Sequence, residues 1–198
     1  MNSSKKTRKL VLAAVFMALI AVMTVVPYTG YINYGLIEIT TLHLIVILGS
    51  VTLGWKYGTL LGTFWGFTCM LRAFTNPAFI LFTNPMISVV PRIFVGMVPG
   101  LVFEALKNGN RKIAVAIAAA AGTFTNTVLV LSALYIFGGM MSSFAVMYEL
   151  FKTIITTVIT LNGGLEMAAA VVLVPLIYTA LQKSGSIPTG PELNPAQS

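Results

Sequence analysis

The stretch TLHLIVILGSVTLGWKYGTLLGTFWGF, from Thr41 to Phe67, indicates the fold class because it is apolar almost throughout. Lys56 is its one charged residue and lies near the middle. Such a run is typical of two hydrophobic helices, Thr41 to Leu53 and Tyr57 to Phe74, joined by a tight turn. The sequence therefore predicts a chain whose solvent is lipid.

The composition of the whole chain agrees with this interpretation. Hydrophobic residues make up 57% of the 198 residues and charged residues 9%, whereas roughly a quarter of a soluble domain is charged. The net charge of +7 does not predict nucleic-acid binding, because the basic residues are scattered among apolar runs. Cys69 is the only cysteine, so an internal disulfide and a cysteine metal cluster are excluded, and we expect no metal ion or cofactor.

We expect an all-α integral membrane bundle of six transmembrane helices, forming one domain over residues 1–183. Residues 184–198, rich in Pro, Gly and Ser, are predicted to be a disordered tail. The segment Met140 to Leu161 is interpreted as a loop with an amphipathic helix. Besides the two helices above, the predicted spans are Leu10 to Val26, Met86 to Leu106, Ile113 to Phe137 and Leu165 to Leu181.

The basic residues predict the orientation of the bundle. The N-terminal cluster, Lys56, the group from Lys107 to Lys112, and Lys183 all fall on alternate connections. The positive-inside rule then places both termini in the cytoplasm of a multi-pass cell-membrane protein. The loop Tyr28 to Thr40 and the Asn-Pro loop Thr75 to Pro85 would face outside.

Polar residues in the apolar spans are costly, roughly 2.5 to 3.5 kcal/mol each on insertion scales, so each needs a reason. A helix rises about 1.5 Å per residue, which places the polar residues of five predicted helices at a similar level in the outer half of the bundle. They are Arg72, Arg92, His43, Asn126, Asn162 and Glu166. This convergence predicts an outward-facing pocket for a small, polar, anionic molecule, because guanidinium groups bind carboxylates in bidentate fashion.

Structural roles compete with this interpretation. Arg72 lies near a helix end and could extend to the headgroups. Arg92 and Glu166 could form a structural bridge, His43 could be a helix-cap residue, and Asn126 could bond a neighbouring helix. These alternatives stay open at the level of sequence.

Small residues recur at every fourth position in two places. Gly54, Gly58, Gly62 and Gly66 form a smooth strip that favours close helix packing. Ala14 and Ala18 form a similar pair on the first span, where contact with another protein competes with internal packing.

Three segments resemble the substrate-binding S component of an energy-coupling factor (ECF) vitamin transporter, a family of bacterial membranes. They are the basic N-terminus leading into Ala14 and Ala18, the stretch Thr41 to Phe67, and TNPMISVVPRIFVGMVPG from Thr83 to Gly100. Together with the Asn162 and Glu166 opening of the last span, the likeness extends from Leu10 to Lys183.

The resemblance implies a subunit that captures a vitamin from outside and docks on a transmembrane coupling protein with two ABC-type ATPases. Ala14 and Ala18 match the family's docking contact, and the loop Tyr28 to Thr40 would cover the substrate. The pantothenate subgroup is the most similar. The implied substrate-binding residues are then Tyr31, Asn33, His43, Arg72, Asn84, Arg92, Asn126, Asn162 and Glu166.

Other functions compete with this one. S components for other vitamins, such as cobalamin, share the scaffold. A stand-alone secondary carrier would need an ion-coupling carboxylate, for which Glu166 is the candidate. An enzyme is not expected, because one histidine cannot supply a metalloprotease site and no serine lies in the required setting. No Walker A motif occurs in the sequence, so ATP hydrolysis would come from partners.

Overall fold

The computed structural model describes residues 3–34, 37–138, 140, 146, 148–149 and 163–187. The described part of the chain is mainly helical, with one short β-hairpin. In chain order the elements are α1 (Ser3–Val25), β1 (Tyr31–Tyr34), β2 (Ile37–Thr40), α2 (Leu42–Leu53), α3 (Trp55–Ala73), a 3₁₀ helix (Pro77–Thr83), α4 (Pro85–Leu106), α5 (Arg111–Gly138) and α6 (Gly164–Lys183).

Four of these helices, α1, α4, α5 and α6, are long and apolar enough to cross a membrane. Helix α2 is apolar but has only 12 residues. The all-α class predicted from the sequence is confirmed. The described α-helices lie near the predicted positions, although α1 begins at Ser3 rather than at Leu10. The predicted loop and amphipathic helix from Met140 to Leu161 lie mostly outside the described residues. Asn162 also lies outside them.

Helix boundaries follow local chemistry. Gly54 separates α2 from α3 with φ of +99°, a conformation that side chains disfavour. Asn84 caps α4, since its side-chain oxygen accepts a hydrogen bond from the Met86 backbone nitrogen at 2.9 Å, and Pro85 occupies the first turn. This arrangement satisfies a backbone donor that the helix itself leaves unpaired.

The segment Tyr28 to Thr40, interpreted above as a loop, contains an antiparallel hairpin. Strand β1 pairs with β2 in a register that places Tyr31 opposite Thr40 and Asn33 opposite Glu38. The hairpin leads directly into α2, where the Thr41 backbone nitrogen donates to the Gly30 oxygen at 3.0 Å. We call the end of the bundle that carries this segment the hairpin end.

Helix α2 occupies the centre of the bundle, although it is the shortest of the six α-helices that the structure describes. It contacts α1, α3, α4, α5 and α6, and its side chains Leu42, Val46 and Ile47 are completely buried. Since the five other α-helices that the structure describes all pack on α2, a residue on α2 lies close to several elements at once.

Of the described helices, α3 and α4 form the most extensively packed pair, and glycines line their contact. A β-carbon at Gly62 would collide with the Arg92 backbone oxygen, and Gly58 and Gly96 face each other backbone to backbone. We call Gly58, Gly62, Gly66 and Gly96 the glycine seam. Because no side chain separates the two backbones there, the seam fixes the position of α4 relative to α3.

At the opposite end, the beginning of α1 meets the end of α6. Arg8 donates to the backbone oxygens of Gly185 and Ser186, at 2.5 and 3.0 Å. Ile187 is buried in the main core. Residues 184–187, which the sequence assigned to the tail, therefore pack against the bundle. We call this the termini end.

Candidate substrate-binding site

Four helices bring a buried polar side chain to the hairpin end. His43 on α2 is 1% exposed, Arg92 on α4 5%, Asn126 on α5 6% and Glu166 on α6 5%. Groups of this kind are seldom buried in an apolar bundle without a function or a partner.

The packing of α2, α4 and α5 explains why three of these side chains share one region. Gly122 on α5 packs against Ile47 on α2 and Pro99 on α4. His43 and Asn126 each lie one turn, about 6 Å, from that contact towards the hairpin end. Arg92 lies two turns, about 10 Å, from Pro99 in the same direction.

Arg92 is held by the protein along only part of its guanidinium group. Its Nη1 atom donates to the Ile87 backbone oxygen at 2.8 Å. The guanidinium carbon lies 5.1 Å from the ring centre of Trp65 and 5.3 Å from that of Phe82. Its Nε atom is buried without a hydrogen-bond partner, so the group is oriented by two rings and still has a donor for a ligand.

In the part of the chain that the structure describes, the unpaired buried side-chain atoms all lie in this cluster. Among the residues that the structure describes, every buried side-chain nitrogen or oxygen without a well-formed hydrogen bond belongs to His43, Arg92 or Asn126: the two ring nitrogens, Nε and Oδ1. The His43 ring lies near the backbones of Thr40 and Glu166, but the contacts do not have the geometry of hydrogen bonds. Leaving such an atom unpaired costs about 1 to 3 kcal/mol. Three helices thus present donors and acceptors that a polar ligand would satisfy.

Glu166 lies in the first turn of α6 and connects it to the hairpin. Its Oε1 atom accepts a hydrogen bond from the Thr40 backbone nitrogen at 2.7 Å. Arg92 is near enough to influence Glu166 electrostatically. Both side chains are described, and the ion pairs of the described residues do not include one between them. The structural bridge considered above is therefore not formed.

Arg72 is paired with Glu38 of the hairpin. Its two terminal nitrogens donate to both carboxylate oxygens of Glu38, at 3.0 and 2.7 Å. Burial raises the pKa of Glu38, and the hydrogen bonds from Arg72 oppose that rise. Glu38 was not predicted as a site residue because it lies in the segment interpreted as a loop.

Tyr31 contacts Arg72 directly and is linked to Arg92 through Trp65. Its hydroxyl oxygen accepts a hydrogen bond from Trp65 Nε1 at 3.2 Å, and the Arg72 guanidinium lies 4.1 Å from the centre of its ring. Burial raises the pKa of Tyr31 well above its ordinary value, so the phenol stays neutral and keeps a proton to donate.

The remaining predicted site residues are Asn33, Asn84 and Asn162. Asn33 lies in β1 opposite Glu38. Asn84 uses its side-chain oxygen to cap α4. Asn162 lies outside the described residues.

Ala14 and Ala18 lie on the exposed face of α1. Val15, between them, is half exposed, whereas Phe16 and Ile20 on the opposite face are buried in the core. The pair is therefore not used for packing within this chain.

The chain matches the family described as "ECF transporter, substrate-specific component" over residues 8–178. It belongs to this family, and is thus a component of a transporter rather than an enzyme. Together with its apolar helices, this makes it a multi-pass membrane protein.

Two curated relatives refine the comparison. The chain is 32% identical to the pantothenic acid transporter PanT of Lactococcus lactis subsp. cremoris over 200 aligned residues, covering 93% of this chain and 98% of the relative. It is 34% identical to the pantothenate transporter PanT of Leuconostoc mesenteroides subsp. mesenteroides over 116 residues, which cover 54% of this chain and 57% of that protein.

Proposed function

We propose that this chain is the pantothenate-binding subunit of an ATP-driven ECF-type importer. The observation that carries the proposal is that, among the described residues, the unpaired buried polar atoms all belong to His43, Arg92 and Asn126 at the hairpin end. The names of the two relatives supply the substrate.

The chemistry of pantothenate matches these groups. The molecule has a carboxylate at one end, two hydroxyls at the other and an amide between them. The carboxylate accepts from Arg92 Nε, and a ligand hydroxyl or amide N–H donates to Asn126 Oδ1. His43 has one nitrogen for a donor and one for an acceptor.

Glu166 orients the ligand in this proposal. Its carboxylate is buried beside Thr40 and would repel a second carboxylate, but it can accept a bond from a hydroxyl. Pantothenate therefore binds with its carboxylate at Arg92 and its hydroxyl end towards Glu166 and Asn126.

The exposed face of α1 suits the delivery step. A surface of small residues allows a helix of another protein to approach closely within the bilayer. Ala14 and Ala18 would thus dock on a transmembrane coupling protein that carries two ABC-type ATPases. The bundle has six spans, the hairpin end faces outside and both termini are cytoplasmic, in accordance with the distribution of basic residues.

The direct test is ligand identification. The protein is purified in detergent, and mass spectrometry identifies the small molecule that copurifies with it. Calorimetry with pantothenate, and with cobalamin as the control vitamin, then measures affinity. Saturable binding of pantothenate alone is the expected result. Binding of cobalamin, or of neither compound, would contradict the proposal.

A further inference from the structure

Arg72 has a set of contacts quite different from that of Arg92. Arg72 lies in the last turn of α3 and uses both terminal nitrogens for Glu38 on β2. Its donors thus point to a protein carboxylate rather than towards the unpaired cluster.

The same side chain is enclosed by two aromatic rings from different segments. Its guanidinium carbon lies 4.1 Å from the ring centre of Tyr31 on β1 and 5.0 Å from that of Phe79 in the 3₁₀ helix. We call the hairpin and the 3₁₀ helix the covering segments. One residue of α3 therefore contacts both of them.

Both covering segments also contact the candidate site. Thr40 at the end of the hairpin donates to Glu166, Tyr31 bonds Trp65, and Phe82 of the 3₁₀ helix lies against Arg92. Moving either segment away would remove a contact from a site residue.

We infer that Arg72 and Glu38 form a latch that holds both covering segments closed over the site, and that ligand exchange requires this ion pair to separate. The inference rests on the proposed function. Arg72 is then a positioning residue that acts through Glu38, Tyr31 and Phe79, not a ligand contact.

The environment of the pair suits reversible opening. The side chains of Arg72 and Glu38 are 20% and 12% exposed, so water can reach both when they part. Removal of one partner leaves the other charge enclosed and unpaired, whereas removal of both leaves no charge to compensate. We therefore expect the closed arrangement of the covering segments to be less perturbed in the double variant than in either single variant.

Cys69 allows a test that needs no ligand. It is the only cysteine of the chain, is buried, and lies between Trp65 and Arg72 on the same face of α3. It is also near enough to Tyr31 to influence it electrostatically. The rate at which a small polar thiol reagent labels Cys69 therefore reports opening of the covering segments.

The experiment compares Glu38→Ala, Arg72→Met and the double variant in purified protein. The matched control is Glu104→Ala, which removes the carboxylate of a more exposed pair with Lys107, at 3.9 Å. Cys69 should be labelled roughly ten- to a hundredfold faster in each single variant, since hydrogen bonds between charged groups are lost. The double variant should label more slowly than either single variant, and the control should match the unmodified protein.

Folding is checked by thermal unfolding of each variant, and Arg72→Lys serves as a milder change if Arg72→Met does not fold. Arg72→Lys keeps the charge but lacks the planar fork, so it should also accelerate labelling. Unchanged labelling in folded single variants, or strictly additive effects in the double variant, would overturn the latch.

Ligand kinetics separate the latch from direct binding. With labelled pantothenate, both association and dissociation should accelerate in the latch variants, and pantothenol, its neutral alcohol analogue, should show the same changes. A selective loss of pantothenate affinity in Arg72→Met, with Glu38→Ala unaffected, would instead make Arg72 a ligand contact. If pantothenate does not bind the unmodified protein, the proposed function fails, while Cys69 labelling still decides the latch.

Discussion

Replacing Arg92 by methionine should weaken pantothenate binding by about tenfold to 150-fold. Methionine keeps the apolar stem between Trp65 and Phe82 but removes the guanidinium group. A hydrogen bond to a charged group contributes about 1.5 to 3 kcal/mol, and about 1.4 kcal/mol corresponds to a tenfold change in Kd. Because Arg92 is only 5% exposed, solvent screening should reduce this contribution to binding only slightly.

Calorimetry with two ligands tests the reason for the loss as well as its size. Pantothenol has an alcohol in place of the carboxylate, so its affinity should change much less in Arg92→Met. The pantothenate affinity of Arg92→Lys should lie between that of the unmodified protein and that of Arg92→Met. An ammonium group keeps the charge but lacks the bidentate edge of a guanidinium group. Lys107→Met, which removes a cation remote from the site, is the matched control and should bind like the unmodified protein.

Two results would refute this reasoning. One is a pantothenate Kd within about threefold of the original in a folded Arg92→Met variant, which is below the energy of one such bond. The other is an equal loss for pantothenate and pantothenol, which would indicate a general distortion of the site rather than a lost carboxylate contact.

Three further predictions concern other parts of the bundle. Enlarging Ala14 and Ala18 to tryptophan should abolish uptake by cells and preserve binding in detergent; lost binding would mean that these alanines serve the fold of the chain. Gly62→Ala should lower the free energy of unfolding by about 1 to 3 kcal/mol through overpacking. In Gly109→Ala, where a methyl group has space, that free energy should stay within about 0.5 kcal/mol of the unmodified value. Asn126→Leu should raise the melting temperature of the ligand-free protein, since it removes an unpaired buried acceptor, but weaken binding; lower stability would show that Asn126 has a structural partner.

Helix positions could be predicted from the sequence because their ends depend on local chemistry. The predicted span Met86 to Leu106 corresponds to α4, whose start is set by Asn84 and Pro85. The hairpin was missed because Tyr and Gly suggested an irregular loop. The alternation in Ile37, Glu38, Ile39 and Thr40, with Gly35 two residues before it, is a strand and turn signal that could have revealed the hairpin.

The candidate site was predictable only in part. Arg92, Asn126 and Glu166 stand out because polar residues are rare in apolar helices, and the structure buries all three. The partner of Arg72 could not be found this way, since Glu38 is 34 residues away and lies outside the apolar runs. Which carboxylate an arginine selects depends on the folded path of the chain, not on local pattern.

The glycine seam has a consequence for how sequence changes could alter ligand choice. Gly62 lies directly against the backbone of Arg92, so the height of the guanidinium group is set by the main chain of α3 rather than by an adjustable side chain. A shift of α4 by one residue would bring bulky neighbours into the space that the glycines leave open. New ligands would thus be accommodated by exchanging residues around Arg92, while the arginine itself remains a fixed reference point.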